Sequence, residues 1–383
     1  MSTIVGFKTT PYPLDALGAS ASDLLSAPLP PYPSYPSFSR LISRDFYTSS
    51  LDPVWPLGFS LAYYLVSHAA NRLVVRNGGR DLSKGPSPLA AALRLLIPIH
   101  NAVLAAYSAW TFAMMAPLVV DFFVQGWRGA RFEGVKLALC SMPTNHPDLG
   151  RYAYLFYLSK YYEVVDSLIL LLKGKKISNL QSYHHAGAII CMWIAYRYQS
   201  QPVWVFCVFN SFVHTLMYTY YFCSAMHWPF PKTLKRNLTT LQIAQIASGT
   251  LLTNLYLVTV LDPSLVARGL LDRGVRSSLP AVAASSRAPS RNLVDYALAR
   301  TDTSDPSSCL QTTGAEIALN VNTAYMFPLL ALFFRFFMRS YLDRSAKGKR
   351  AASAKQAANG AATSAAAATT SNGHASADLR KRQ

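Results

Sequence analysis

Residues 153–172 read AYLFYLSKYYEVVDSLILLL, a run long enough to cross a bilayer as one helix that nevertheless carries Lys160, Glu163 and Asp166. On a helix these three positions fall within an arc of about 120°, so the charges share one face and can pair in part. Each charged side chain near the bilayer centre costs about 2.5–3.5 kcal/mol on insertion scales. A face that carries three of them turns toward other helices or a cavity, not toward lipid. The plainest use of such a face is a structural Lys–Glu pair that holds helices in register; a functional site is the other.

The same apolar pattern recurs along the chain, at 54–75, 95–123, 153–172, 182–198, 203–226, 238–261 and 316–341. Composition agrees with this reading: of 383 residues, 51% are hydrophobic and 14% charged, where an ordinary soluble domain has about 25% charged. The expected fold is therefore an all-α integral membrane protein with seven transmembrane helices, and a soluble two-domain enzyme is excluded. Lys and Arg number 36 against 18 Asp and Glu, but they collect in links and in the tail. Topology and anionic lipid account for that excess, so no nucleic acid partner is expected. Lys173, Lys175 and Lys176 follow the third span, Lys232, Lys235 and Arg236 follow the fifth, and Arg344, Lys347, Lys349, Arg350 and Lys355 follow the seventh. These share one side with Arg76, Arg80 and Lys84. The positive-inside rule makes that side cytosolic and the N-terminus lumenal.

Outside the seven-span domain (54–341), residues 1–53 are rich in Pro, Ser and Tyr, with neither a basic start nor an apolar h-region. They are expected to be irregular and lumenal, without a cleavable signal peptide. Residues 262–315 read as a flexible lumenal insertion, and 342–383 as a disordered basic cytosolic tail. The five cysteines are odd in number and widely spaced, and no disulfide framework or zinc site follows from them.

The polar residues inside the spans form patterns. The fourth span opens with Gln181-Ser182-Tyr183-His184-His185; adjacent histidines point about 100° apart on a helix, so one can aim at a shared centre while the other flanks it. The fifth carries Asn210, His214, Tyr218 and Tyr221 at i, i+4, i+8 and i+11, a polar stripe. The sixth begins Thr240-Leu241-Gln242-Ile243-Ala244-Gln245. Iron is disfavoured because none of the eight histidines pairs with another at i,i+3 or i,i+4, which leaves histidine as a nucleophile or base. A non-enzymatic seven-span receptor or transporter with a buried ligand or proton site is the competing class.

Taken in order, the KxxExxD of 160–166, the QxxHH box of 181–185, the NxxxHxxMYxYY of 210–221 and the TLQIxQ of 240–245 resemble the signatures of the ELO very-long-chain fatty acid elongases. His100-Asn101, Leu319-Asn320 and Tyr325 are similar to weaker family positions. The first position of the histidine box is usually His, and the Gln181 variant resembles the polyunsaturated-acyl subgroup.

The resemblance implies an endoplasmic reticulum 3-oxoacyl-CoA synthase, with spans two to seven arranged as a helical barrel around an acyl tunnel and span one outside it. It implies acyl-CoA and malonyl-CoA as substrates, membrane lipid as surroundings, and no cofactor. The reductase and dehydratase of an elongation cycle, and a second copy of the chain, would be its partners. His184 is the expected nucleophile, with His185 and His214 shaping the same centre. Gln181, Asn210, Tyr218 and Gln242 would donate hydrogen bonds, Lys160 would hold carboxylate or CoA, and Glu163 and Asp166 would orient it. Lys173, Lys175, Lys176, Lys232, Lys235 and Arg236 would form a basic mouth for CoA phosphates.

Overall fold

The computed structural model describes residues 20–33, 35–140, 147–261, 307–310 and 312–342. The expectations for most of the insertion and for the tail from 343 lie outside the described residues. Cα packing divides the chain into two units, 1–332 and 333–383.

In the first unit, three short helices, α1 (Ala21–Ser26), α2 (Pro36–Leu41) and α3 (Arg44–Ser50), precede α4 (Val54–Arg76) and α5 (Pro88–Cys140). Then come α6 (Pro147–Tyr162), α7 (Val165–Leu172), α8 (Asn179–Arg197), α9 (Pro202–Ala225) and α10 (Lys232–Val258). Strand β1 (Val260–Leu261) pairs antiparallel with β2 (Ser307–Ser308), and α11 (Thr313–Phe337) starts in this unit. In the second unit, a π-helical turn, Met338–Leu342, carries a Phe337–Tyr341 ring contact.

The described fold is all-α apart from the strand pair, and membrane-associated in character. Among the described residues, two helices are long and apolar enough to cross a bilayer, Pro88–Cys140 and Thr313–Leu342, with mean hydropathy 1.7 and 1.6 over their most apolar windows. Large apolar side chains stand exposed along α4 (Leu61, Leu65, Val66, Leu73) and α5 (Leu95, Leu96, Val103, Val120). Such faces are costly in water and natural in lipid.

Local chemistry sets the helix starts that matter to the site. Ser178 caps α8 by accepting from the Gln181 N–H, which fixes where the QxxHH box begins its first turn. Pro202 opens α9 at a position where its missing N–H costs nothing. Gly174, at φ +65°, ends α7, and any Cβ there would strike the backbone of Gly79. The links after α4 and α7 are thereby locked together, with Leu82 N–H donating to Leu172 O at 2.9 Å.

Four expectations are corrected. The 153–172 run is not one helix: α6 stops at Tyr162, and after Glu163 the backbone bonds shorten to i−3, Asp166 N to Glu163 O and Ser167 N to Val164 O. This is a mid-span 3₁₀ turn without Gly or Pro. The N-terminal segment is not irregular throughout, because α2 and α3 seat Phe38, Tyr47 and Leu51 in the main core. Trp193 donates to Leu51 O at 2.8 Å, Tyr157 to Ser50 O at 2.8 Å, and the buried Arg197 to Pro28 O at 2.8 Å. Cys140 and Cys309 form a disulfide across 169 residues, a pairing that spacing alone did not suggest. With it, 307–310 and 312–315 belong to the folded part of the chain, not to the insertion. Finally, the second predicted span, 95–123, does not end there: it continues as helix to Cys140, bent sharply at Ala130–Arg131, where Gly126 and Gly134 come into close approach.

Candidate active site

Three groups of polar side chains lie between the helices. In the first, Lys160 at the end of α6 donates to Glu163 Oε1 at 2.6 Å and to Asn210 Oδ1 on α9 at 3.4 Å. Its ammonium also stands 4.0 Å over the Phe156 ring. All three polar residues are buried. His214, one turn after Asn210, brings Nδ1 to 3.8 Å from the same carboxylate. Glu163 Oε2 is buried with no hydrogen-bond partner among the described residues, an acceptor left for a proton or a ligand.

The second group is centred on Asp166. Beyond the 3₁₀ turn its carboxylate faces away from Lys160: Oδ1 meets His100 Nε2 of α5 at 2.9 Å, and Oδ2 accepts from the Tyr218 hydroxyl of α9 at 2.7 Å. His100 Nδ1 lies 3.2 Å from the Tyr162 hydroxyl.

The third group is built on α8. Gln181 Nε2 and His185 Nε2, one turn apart, are 2.9 Å from each other. Gln181 also reaches Ser167 Oγ at 3.5 Å, which bonds the Tyr63 hydroxyl of α4 at 2.7 Å. His184 meets α11, its Nδ1 3.2 Å from the Tyr325 hydroxyl, and its ring lies 5.3 Å from that of His185. His184 and His185 thus stand side by side on α8, while His214 and Lys160 both face Glu163.

Of the residues expected at the site, Lys160, Glu163, Asn210 and His214 meet in the first group, and Gln181, His184 and His185 in the third. Asp166 and Tyr218 are adjacent to them but bonded to each other. Gln242 is not brought in: its amide nitrogen contacts Met217 Sδ at 3.1 Å. Tyr221, the fourth member of the α9 stripe, is exposed. Of the basic residues, Lys173, Lys175 and Lys176 follow α7, and Lys232, Lys235 and Arg236 lie on the first turns of α10. Burial, and then the charge of Lys175, holds the Lys173 ammonium below the usual lysine range. Among the described residues no set of three His, Cys, Asp or Glu side chains is arranged to hold a metal ion.

His100 and Tyr325 were absent from the expected site list, although the sequence flagged both as weaker positions. A histidine and a tyrosine inside otherwise apolar spans two and seven were the available signal. Tyr63 and Ser167 carry none, because a hydroxyl in a span commonly bonds its own helix.

The fold and these buried groups define a membrane-associated helical protein with an ionisable interior. A family model described as ELO, GNS1/SUR4 family, matches residues 49–349. The chain is 30% identical over 154 residues to "Putative fatty acid elongase 3" of Caenorhabditis elegans, covering 40% of this chain and 47% of that protein. It is 32% identical over 232 residues to "Fatty acid elongase sre1" of Dictyostelium discoideum, 57% and 79% respectively, and 30% identical over 213 residues to "Fatty acid elongase 2" of Trypanosoma cruzi, 53% and 71%. The match thus spans about half the length of the nematode relative and more of the other two. The chain belongs to the ELO family.

Proposed function

We propose that this chain is the condensing enzyme of fatty acid elongation, joining a long-chain acyl-CoA to malonyl-CoA with loss of CO2 and CoA to give a 3-oxoacyl-CoA two carbons longer. The observation that carries the reading is a buried ionisable interior, with His214 and Lys160 at Glu163 and His184 beside His185, inside a chain of the ELO family. The His184 imidazole attacks the acyl thioester and expels CoA thiolate, which takes a proton from water. Malonyl-CoA loses CO2 to leave an enolate, which attacks the acyl-imidazole and returns the histidine. Two steps through a covalent intermediate replace one three-body encounter.

His185, His214, Asn210 and Gln181 donate to thioester and enolate oxygens in a site without bulk water. Lys160, with Glu163, attracts the malonyl carboxylate, while Asp166 holds Tyr218 in position. The six basic residues after α7 and at the start of α10 receive CoA phosphates. The Gln181 variant favours polyunsaturated chains.

The barrel of spans two to seven rests on a closed circuit of neighbours: α5 with α6, α6 with α8, α5 with α9, and α9 with α10, then Asn254 of α10 with Thr323 of α11, and Tyr325 of α11 with His184 of α8. The seven-span count is supported by the agreement of the helix ranges with the apolar runs. Residence in the endoplasmic reticulum, N-terminus lumenal, is supported by the Cys140–Cys309 disulfide. Both cysteines lie on the side opposite the basic links, and disulfides persist in oxidising compartments. The reductase and dehydratase of the cycle and a second copy of the chain would be its partners. A proton-relaying seven-span protein is favoured by one observation, the broken third span, but family membership outweighs it.

Microsomes given acyl-CoA and labelled malonyl-CoA should form chain-extended 3-oxoacyl product. Acyl-CoA alone should release CoA and leave a fatty acyl mass on a peptide containing His184. Product formed with no acyl group on His184, or an active His184→Ala, would overturn the assignment.

A further inference from the structure

One contact of His184 has no part in the roles above. The Tyr325 hydroxyl, on α11, donates to the backbone carbonyl of His184 at 3.0 Å, and the same oxygen lies 3.2 Å from His184 Nδ1. A tyrosine hydroxyl has a single proton. The carbonyl can only accept, so that proton is committed to it. The second contact is then a hydrogen bond only if Nδ1 carries hydrogen and the tyrosine oxygen accepts. A neutral imidazole has one N–H, which leaves the lone pair on Nε2.

We infer that Tyr325 is a positioning residue that holds His184 in its Nδ1–H tautomer and so makes Nε2 the attacking nitrogen. The inference deepens the condensing-enzyme reading and rests on it.

The hydroxyl is held by more than its own bonds. Tyr183 stacks on the Tyr325 ring, centroids 5.3 Å apart and planes 25° apart, and its hydroxyl donates to Tyr325 O at 3.2 Å. Gly187, one helical turn after Tyr183, lets the ring approach, since a Cβ there would collide with Tyr325. Tyr183 and Gly187 thus form a slot on α8 beside His184, and Tyr325 fills it, buried.

The electron count closes with no proton leaving the histidine. Nε2 forms a bond to the thioester carbon as the C–S pair departs on CoA thiolate, and the acyl-imidazolium keeps its Nδ1 proton on the tyrosine oxygen. The positive charge makes the imidazole a better leaving group. When the enolate formed by loss of CO2 makes the new C–C bond, the C–N pair returns to Nε2 and the neutral Nδ1–H ring is restored.

The test uses the full-length protein in lipid bilayers with 15N-labelled histidine. Solid-state NMR distinguishes protonated from unprotonated ring nitrogens, and the signals lost in His184→Gln identify the residue. Wild type should show His184 as Nδ1–H. Tyr325→Phe keeps the ring and the stack but removes both bonds, and should admit the Nε2–H form. Its single-turnover release of CoA from acyl-CoA should fall by about 10- to 100-fold, the range seen when an orienting hydrogen bond to a functional histidine is removed, with KM for acyl-CoA unchanged. An Nε2–H signal in the wild type would overturn the inference. So would a Tyr325→Phe protein that loses thermal stability or raises KM while tautomer and acylation rate stay the same. Absence of any acylation of His184 in a wild type that shows the Nδ1–H signal would defeat the condensing-enzyme reading and leave the tautomer assignment standing.

Discussion

Lys160→Met removes the ammonium that donates to Glu163 at 2.6 Å, in a pair whose members are 4% and 3% exposed. The carboxylate left behind has one oxygen already without a partner and would lose its only close cation. Breaking a buried ion pair from one side costs about 3–5 kcal/mol, because the survivor keeps its desolvation penalty. Glu163→Gln strands the ammonium in the same way and should cost a similar amount. Removing both charges together ends the penalty, so Lys160→Met/Glu163→Gln should stand within about 1 kcal/mol of wild type. Thermal unfolding of the four proteins in one detergent reads this as a Tm order, with wild type and the double variant together and both single variants well below. Condensation measured on the same samples then separates scaffold from site. A stable, inactive double variant assigns the pair to the chemistry, and a stable, active one makes it a helix-register device. Single variants as stable as wild type, or a double variant that simply adds their losses, would refute the electrostatic reasoning.

Cys140→Ser or Cys309→Ser should lower stability by about 2–5 kcal/mol, and alkylation with mass analysis of the unreduced wild type should find both thiols blocked. Asn237, in the only Asn-x-Ser/Thr sequon, lies near the start of α10 on the side assigned to the cytosol and should carry no glycan; a glycosidase-sensitive shift lost in Asn237→Gln would invert the topology. Lys173 has its folded pKa lowered by burial, so the folded state disfavours its charged form and stability should rise as pH climbs through that lowered value toward the unfolded one. Lys173→Met should flatten this alkaline rise and raise the Tm at neutral pH, and a Tm series across pH on both proteins checks the sign.

The helices were legible because membrane length and apolar composition are properties of contiguous sequence: the apolar runs fall largely on helix, although the third is broken at Glu163–Val164 and the sixth ends in a strand. The histidine box was legible for a similar reason: Gln181, His184 and His185 lie within two turns, and the hydrogen bond of Gln181 to His185 is a local i,i+4 contact. What escaped depends on distant partners. Helices as short as α2 and α3 are not stable alone; Phe38 and Tyr47 are ordered by Tyr154 and Tyr196, more than a hundred residues later. The disulfide joins segments 169 residues apart. The contact of Gln242 with Met217 was likewise not legible, because a place in a motif says nothing about which way its helix is turned.

The break after Glu163 has a consequence for the chemistry. On a straight helix, Glu163 and Asp166 would lie on one face, and two carboxylates beside the histidines would favour imidazolium over the neutral ring that a nucleophile needs. The 3₁₀ turn divides them. Glu163 stays with Lys160, and Asp166 turns to His100 and Tyr218, so each acid is matched to donors of its own. His184 meets the Tyr325 hydroxyl and His185 the Gln181 amide, both uncharged partners that suit a neutral imidazole. Gln181 carries this further: a histidine there would bring a third titratable ring within bonding distance of His185, whereas the amide contributes hydrogen bonds without charge. His184 and His185 can therefore share the interior with two acids and a lysine because the backbone directs each acid to other partners.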